Sequence, residues 1–193
     1  MVEVSKAAPK IRIELRYATN QNLAKYPVYP KGARCFLRES VVARLLKAQE
    51  WLDLNTTGAR LKIWDGWRPP AAHQRLWQVV PNREYLGDPR RGGSLHSWGV
   101  AVDATLVGHN GLDLKMPTDF DQLGPKARTR YEGGNAEISR NIRWLQQAMT
   151  YAGFMVVVDE WWHFVARDWE AFAEIDWSLT DPPQDNNVAA KKQ

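Results

Sequence analysis

The stretch SLHSWGVAVDATLV, residues 94–107, places an aspartate inside an apolar run rich in β-branched residues. This composition predicts a buried strand, in which alternation sends Ala101 and Asp103 to the same face. An ionised carboxylate beside the core is costly unless a metal ion or a basic residue compensates its charge. His96 stands in the loop that feeds the strand, where Gly99 permits a tight approach, and it is the first candidate partner of Asp103.

The composition favours one globular domain. The chain has 193 residues, of which 44% are apolar and 10 are tryptophan, enough for a substantial core in which we expect Trp161 and Trp162 to pack. The 26 basic residues against 22 acidic ones are scattered, which does not favour a nucleic-acid partner. The sequence contains no run of about 18 uncharged apolar residues, so it does not predict a membrane partner. The N-terminus does not resemble a signal peptide, so we expect a cytoplasmic protein, or a periplasmic one if a leader has been removed.

Cys35 is the only cysteine, so neither an intramolecular disulfide nor a cysteine-rich zinc site can form. Any metal must therefore be bound by histidine and carboxylate. We expect Cys35 itself to be a small buried hydrophobic residue, because nothing around it in the sequence would activate a thiol.

The first half of the chain predicts a helix, a strand and a second helix. Apolar residues at helical spacing indicate a helix over 39–54, and LKIW, residues 61–64, is typical of a short buried strand. Pro69 and Pro70 suit the first turn of the next helix, because a proline there removes no intrahelical hydrogen bond. A DGWR bend therefore joins the strand to the second helix.

The last third predicts a helix followed by a hairpin. Asn135 is the expected N-cap and Gly153 the end of a helix whose apolar face carries Ile138, Ile142, Leu145 and Met149. GFMVVV and WWHFV read as strands, with Asp159 and Glu160 at the bend between them. Helices beside an antiparallel pair predict an α+β domain, a small and mainly antiparallel sheet flanked by helices. The polar segment 181–193 is expected to be a flexible tail.

A third ligand beside the central aspartate could come from three further histidines. His73 lies in a predicted amphipathic helix and His109 in a glycine-flanked turn, and we expect both to be exposed surface residues. His163 lies in a β-like run, where a hydrogen-bonded core histidine is the ordinary alternative, but Glu160 stands only three residues before it. Two histidines and one aspartate would hold a single zinc with one open position, and Glu160 could stand beside it without ligating it.

These segments together resemble a known family. The S-x-H-x-x-G-x-A-x-D pattern at 94–103, followed by EWWHF at 160–164, is similar to the zinc-dependent D-alanyl-D-alanine dipeptidases of the vancomycin-resistance type, which are related to zinc D,D-carboxypeptidases. Four more segments fall in the family's order and spacing: RYATNQNL (16–23), IWDGWRPPAAHQRLW (63–77), MPTDFDQL (116–123) and NIRWLQQAMTYAGF (141–154). The resemblance covers nearly the whole chain before the tail.

The resemblance implies a catalytic domain over residues 1–180 with one zinc ion in a central cleft. It assigns zinc binding to His96, Asp103 and His163, and the role of general base to Glu160. Arg68 matches the arginine that stabilises the transition state. Three further positions match residues that line the dipeptide site: Tyr17, Ser94 and Asp121.

The sequence also departs from the family's pattern. Trp98 stands where arginine is usual, Trp67 replaces a frequent tyrosine, and Leu23 replaces a common phenylalanine. Each change could reshape the substrate site.

Two alternatives to a D-Ala-D-Ala dipeptidase remain open from the sequence. One is a related zinc peptidase of peptidoglycan stem peptides, a D,D-carboxypeptidase or an endolysin-type enzyme. The other is a zinc-binding module without activity, against which the presence of both Glu160 and Arg68 argues. The expected partner is a small dipeptide, and the sequence identifies no protein partner and no biological role in resistance or wall recycling.

Overall fold

The chain builds a central sheet from strands that are far apart in sequence. The structure, a computed structural model, describes residues 1–83 and 85–175. In chain order its strands are β1 (Val2–Glu3), β2 (Arg12–Ile13), β3 (Phe36–Leu37), β4 (Arg60–Asp65), β5 (Ala101–Val107), β6 (Phe154–Val157) and β7 (Glu160–Ala166). Its helices are α1 (Val4–Ala7), α2 (Glu39–Asn55), α3 (Pro70–Val79) and α4 (Ala136–Tyr151). The predicted α+β class is confirmed.

The main sheet has five strands in the order β2-β4-β5-β7-β6. Only β2 and β4 run parallel, and the other three pairings are antiparallel. Strand β5 lies in the middle, and all seven of its residues are buried, as its apolar composition predicts. β1 and β3 form a separate antiparallel pair.

The strand register places three polar side chains of β4, β5 and β7 in one row. Asp103 on β5 pairs with His163 on the neighbouring strand β7. On the other side of β5, Asp103 pairs with Asp65 on β4. The pairing of β4 with β5 shifts between Ile63 and Asp65, as in a β-bulge, an irregularity that re-aims side chains next to functional sites. The row is therefore set by long-range backbone hydrogen bonds.

Helices α2 and α4 pack against each other and against the sheet. The helix expected over 39–54 extends over Glu39–Asn55. Pro70 occupies the first turn of α3 as predicted, whereas Pro69 is the N-cap, one position before that turn. Asn135 caps α4, since its side chain accepts hydrogen bonds from the first-turn amides of Glu137 and Ile138. Apart from the position of Pro69, these local predictions are confirmed.

The hairpin bend differs by one residue from the prediction. The turn consists of Val158 and Asp159, whereas Glu160 is already the first residue of β7 and pairs with Val157. The expectation that Glu160 lies in the bend is therefore wrong, because the ladder between β6 and β7 continues to that position. Glu160 is held on a strand rather than in a loop.

The expected domain end near Thr180 and the tail over 181–193 lie outside the described residues. Within residues 1–83 and 85–175, no helix is long and apolar enough to cross a membrane. Cys35 is buried, as predicted, and burial raises the pKa of its thiol far above the usual value.

Candidate active site

Three predicted ligands converge where β5 meets β7. His163 Nδ1 lies 2.9 Å from Asp103 Oδ1, and His96 Nε2 lies 3.1 Å from His163 Nδ1 and 3.4 Å from Asp103 Oδ1. Asp103 and His163 are cross-strand partners, and His96 enters from the turn before β5. Gly99 ends that turn with a φ of 70°, a conformation that favours glycine, and so permits the approach of His96.

The donor atoms of this cluster can hold a metal ion. One nitrogen or oxygen atom from each residue lies within 4.8 Å of the others. His96 Nδ1 lies 2.8 Å from the carbonyl oxygen of Gly66, which can only accept, so Nδ1 carries the proton and Nε2 presents a lone pair to the cluster. A backbone carbonyl that orients an imidazole in this way is typical of the surroundings of metal-binding histidines.

Asp103 is prepared to act as an anionic ligand. Burial by itself would raise the pKa of its carboxyl, but the neighbouring His96 and His163 outweigh burial and lower that pKa below the usual value. The side chain is therefore ionised, and two nitrogen donors and one carboxylate oxygen face a common point. This donor set fits a divalent metal that prefers nitrogen and oxygen ligands.

All eight predicted site residues line one cavity of about 250 Å³. They reach it from the strands, the turn before β5, the DGWR bend and two further loops. The eight are Tyr17, Arg68, Ser94, His96, Asp103, Asp121, Glu160 and His163. The structure thus brings together residues that span almost the entire described chain.

Glu160 lies on the cavity wall with its carboxyl largely removed from water. Burial raises its pKa to about 7, although His163 opposes that shift. A carboxyl with such a pKa exchanges protons near neutrality, as a general acid and base must. Glu160 does not belong to the cluster of possible metal ligands among the described residues.

Arg68 is a buried cation in the same cavity. Its Nε and Nη2 atoms lie 3.0 and 2.8 Å from Asp65 Oδ2, and its guanidinium carbon lies 4.5 Å from the centre of the Tyr17 ring. Burial by itself lowers the pKa of Arg68, but the oxygens of Tyr17, Asp65, Tyr29 and Asp103 outweigh it and keep that pKa above the usual value. Arg68 therefore brings a permanent positive charge to the cavity.

The remaining predicted residues are fixed by the backbone around them. Ser94 Oγ accepts a hydrogen bond from the amide of His96 at 3.2 Å, which stabilises the turn that carries the histidine. Asp121 adopts a left-handed φ of 57° and accepts the amide of Leu23 at 2.7 Å. Burial raises the pKa of Asp121 to about 7. Asp121 is therefore poised to ionise when a cation approaches.

His73 contradicts the sequence prediction, whereas His109 agrees with it. His109 is exposed, but His73 is only 2% exposed and lines the cavity. Its Nε2 donates to the carbonyl oxygen of Gly87 at 2.7 Å, so the segment after α3 folds back over the helix. His73 adjoins Ala72 and precedes Leu76 by one turn on the buried face, a periodicity that could have revealed its burial.

Of the three departures from the family's pattern, only Leu23 lines the cavity. Trp67 is buried and donates its indole N–H to the carbonyl oxygen of Ser97 at 3.0 Å, and Trp98 packs against Trp169. Trp161 is a core residue as expected, with its indole N–H donating to Thr118 Oγ1, while the buried Trp162 also forms part of the cavity wall. A change of substrate preference is therefore expected from Leu23 rather than from the other two.

Comparison with known proteins identifies the family of this chain. The peptidase M15 family, described as D-ala-D-ala dipeptidase, matches residues 1–175. A D-alanyl-D-alanine dipeptidase of Escherichia coli (strain K12) is 34% identical over 164 residues, which cover 85% of this chain and 83% of the relative. A protein of the same name from Enterococcus faecium is 29% identical, over 82% of this chain and 87% of its own length. Another from Streptomyces coelicolor is also 29% identical, over 86% of this chain and 90% of its own length.

We predict that metal content depends on the cluster at β5 and β7. Replacing a group that only orients a metal ligand costs about 10- to 100-fold in metal affinity. If His163 binds the metal directly, as we predict, His163→Ala should lower the affinity by more than about 100-fold. Metal analysis of the dialysed protein should find His163→Ala depleted and the exposed control His109→Ala fully loaded. Full metal occupancy in folded His163→Ala would remove this residue from the site.

Proposed function

Because the chain belongs to the peptidase M15 family of D-ala-D-ala dipeptidases, we propose that it is a zinc metallopeptidase that hydrolyses D-alanyl-D-alanine to two molecules of D-alanine. One observation carries this proposal beyond family membership. The possible metal ligands share a small cavity with a carboxyl whose pKa is about 7 and with a buried arginine. Such a combination suits hydrolysis, whereas metal binding alone requires neither of the last two groups.

His96, Asp103 and His163 would hold the zinc ion through two nitrogens and one carboxylate oxygen. When bound, zinc supplies a Lewis acid that polarises the scissile carbonyl and makes water acidic enough to lose a proton near neutral pH. Asp103 also reduces the net charge at the site, and the Gly66 carbonyl keeps the His96 lone pair directed towards the cluster.

Glu160 is the proposed general base and acid. It accepts the proton that the attacking water releases as the new carbon–oxygen bond forms, and it returns a proton to the amine as the carbon–nitrogen bond breaks. A pKa of about 7 allows both transfers without a large energetic cost. Since Glu160 belongs to the ladder between β6 and β7, its backbone needs no ordering at the moment of reaction.

Arg68 is the proposed partner of the carbonyl oxygen as that oxygen becomes negative. Its charge is permanent and its side chain is almost fully buried, and a fixed cation in such surroundings stabilises developing charge more than it would in solution. An interaction that strengthens as charge develops lowers the barrier rather than only tightening substrate binding.

The cavity also offers groups that suit a free dipeptide. The substrate ends in an ammonium and a carboxylate, and we propose that the ammonium pairs with Asp121, which would then ionise. Tyr17 and Ser94 line the same cavity and would contact the rest of the dipeptide. A longer peptide has no ammonium at this position, so it loses the pairing with Asp121 and leaves that buried carboxyl without its partner.

We predict that the zinc form cleaves D-Ala-D-Ala at least about 100-fold faster, in kcat/KM, than L-Ala-L-Ala or a stem pentapeptide ending in D-Ala-D-Ala. Release of D-alanine from the three substrates measures this selectivity. Preferential cleavage of the pentapeptide would instead identify a D,D-carboxypeptidase, and absence of cleavage from all three would favour a zinc-binding module.

We predict that Glu160→Gln folds, retains stoichiometric zinc and is nearly inactive. Glutamine is close in size and can still form hydrogen bonds, but an amide cannot accept the proton of the attacking water. Zinc content and D-Ala-D-Ala hydrolysis should be measured on one preparation, with Glu132→Gln as the matched control because its side chain is 77% exposed. Loss of zinc would make Glu160 a ligand, and substantial activity with full zinc would rule out its role as the base.

We predict that Arg68→Ala retains zinc while kcat falls roughly 10²–10³-fold, the usual effect of removing one transition-state donor. The exposed Arg143→Ala is the matched control. A rise in KM with kcat unchanged would instead place Arg68 at the carboxylate of the dipeptide, and a wild-type rate would exclude it from the reaction.

A further inference from the structure

Asp65 is a fully buried carboxylate directly behind the arginine of the cavity. It is 0% exposed, and among the described residues it does not line the cavity itself. One of its oxygens, Oδ2, accepts both Nε and Nη2 of Arg68, at 3.0 and 2.8 Å. Asp65 therefore cannot touch a substrate, but it fixes the plane of the group that does.

This contact leaves one end of the guanidinium available. The two hydrogen bonds to Asp65 use Nε and Nη2, so Nη1 takes no part in them. The two N–H groups of Nη1 can thus serve a ligand in the cavity. Asp65 accepts the hydrogen bonds from Nε and Nη2 on one edge of the guanidinium and does not use the donors of Nη1.

The second oxygen of Asp65 is held by a tyrosine from a distant part of the chain. Tyr29 donates its hydroxyl to Asp65 Oδ1 at 2.6 Å, and its ring is buried. Burial, and then the charge of Asp65, raise the pKa of Tyr29 well above the usual value, so the hydroxyl keeps the proton that it donates. The Tyr29 amide in turn donates to the carbonyl oxygen of Tyr17 at 2.9 Å, which ties this support to the cavity wall.

The support that Asp65 gives to Arg68 matters because a second carboxylate, Asp103, lies near the same guanidinium. Asp103 Oδ2 lies 3.8 Å from Arg68 Nη2, within ion-pair range but slightly beyond hydrogen-bond distance. If Asp65 no longer held the guanidinium, Arg68 could move closer to Asp103 and form a hydrogen bond with it. The cation would then be drawn away from the substrate and would compete for one of the proposed metal ligands.

We propose that Asp65 and Tyr29 are positioning residues, which act through Arg68 by holding its guanidinium towards the substrate carbonyl and away from Asp103. The proposal rests on the proposed function, because it assigns Arg68 a partner in the reaction. The hydroxyl of Tyr29 orients Asp65, Asp65 orients Arg68, and only Arg68 meets the substrate. Pre-organisation of this kind affects the rate of the reaction more than the affinity for the substrate.

A double-mutant cycle on the zinc-loaded enzyme tests this chain of contacts. With the wild-type arginine present, Asp65→Asn should lower kcat by about tenfold or more and Tyr29→Phe by about threefold, with KM within about twofold. In the Arg68→Ala background the same two changes should have almost no further effect on kcat, because the group they position is gone. The exposed Tyr26→Phe is the control and should match wild type.

Two outcomes would overturn the proposal. If either variant retained wild-type kcat, that residue would not position Arg68. If each lowered kcat by the same factor with and without Arg68, their role would be general stability of the fold. If Asp65→Asn failed to fold, as a melting curve would reveal, Tyr29→Phe alone would decide, since phenylalanine preserves the shape of the buried ring.

Side-chain proton–nitrogen NMR of the arginine Nε–H groups provides a measurement that is independent of activity. The Arg68 signal, identified by its loss in Arg68→Lys, should exchange slowly with water in wild type and Tyr26→Phe, and faster in Tyr29→Phe and Asp65→Asn. If wild type failed to cleave D-Ala-D-Ala but this pattern held, the proposed function would be wrong and the positioning correct. An Arg68 signal unchanged in both variants would refute the positioning even if the enzyme were active.

Discussion

The pairing of β5 with β7 is the constraint on which the site depends. It sets Asp103 opposite His163 in the middle of the sheet and brings His163 Nδ1 to within 2.9 Å of Asp103 Oδ1. A slip of one residue would send the aspartate to the other face, because successive side chains of a strand alternate. Such a slip is unfavourable because it would take the carboxylate away from its histidine partners and leave its charge among hydrophobic residues. The same burial that fixes the register therefore fixes the possible metal ligands.

Burial also divides the acidic groups of the site into two kinds. Asp103 faces histidines, and its pKa is lowered, so it stays charged. Glu160 and Asp121 have weaker compensation, and burial raises the pKa of each to about 7. One kind suits a permanent ligand, whereas the other suits groups that change protonation during binding or reaction. Local surroundings, rather than residue type, separate these roles.

Rigidity is distributed unevenly around the cavity. The strand residues Asp103, Glu160 and His163 are held by ladder hydrogen bonds, and Arg68 is held from behind by Asp65. The segment after α3, which reaches the cavity through Leu86 and Gly87, is a loop that contacts His73 through one hydrogen bond. Reacting groups placed on strands keep their geometry, whereas a loop wall can vary and adjust the shape of the substrate site.

The sequence by itself predicted a helix over 39–54, a helix between Asn135 and Gly153 and the central strand, because periodicity and capping are local signals. Its motifs, through their resemblance to a family, also named eight candidate site residues, which the structure brings to one cavity. The sequence did not determine that His73 is buried, that Glu160 begins a strand, or that Tyr29 and Asp65 stand behind Arg68. Those features depend on which strands pair and on how a later segment folds over an earlier helix. Tyr29 and Asp65 are 36 residues apart in the chain. Their contact leaves no periodic signal in the sequence, since only packing in three dimensions brings the two side chains together.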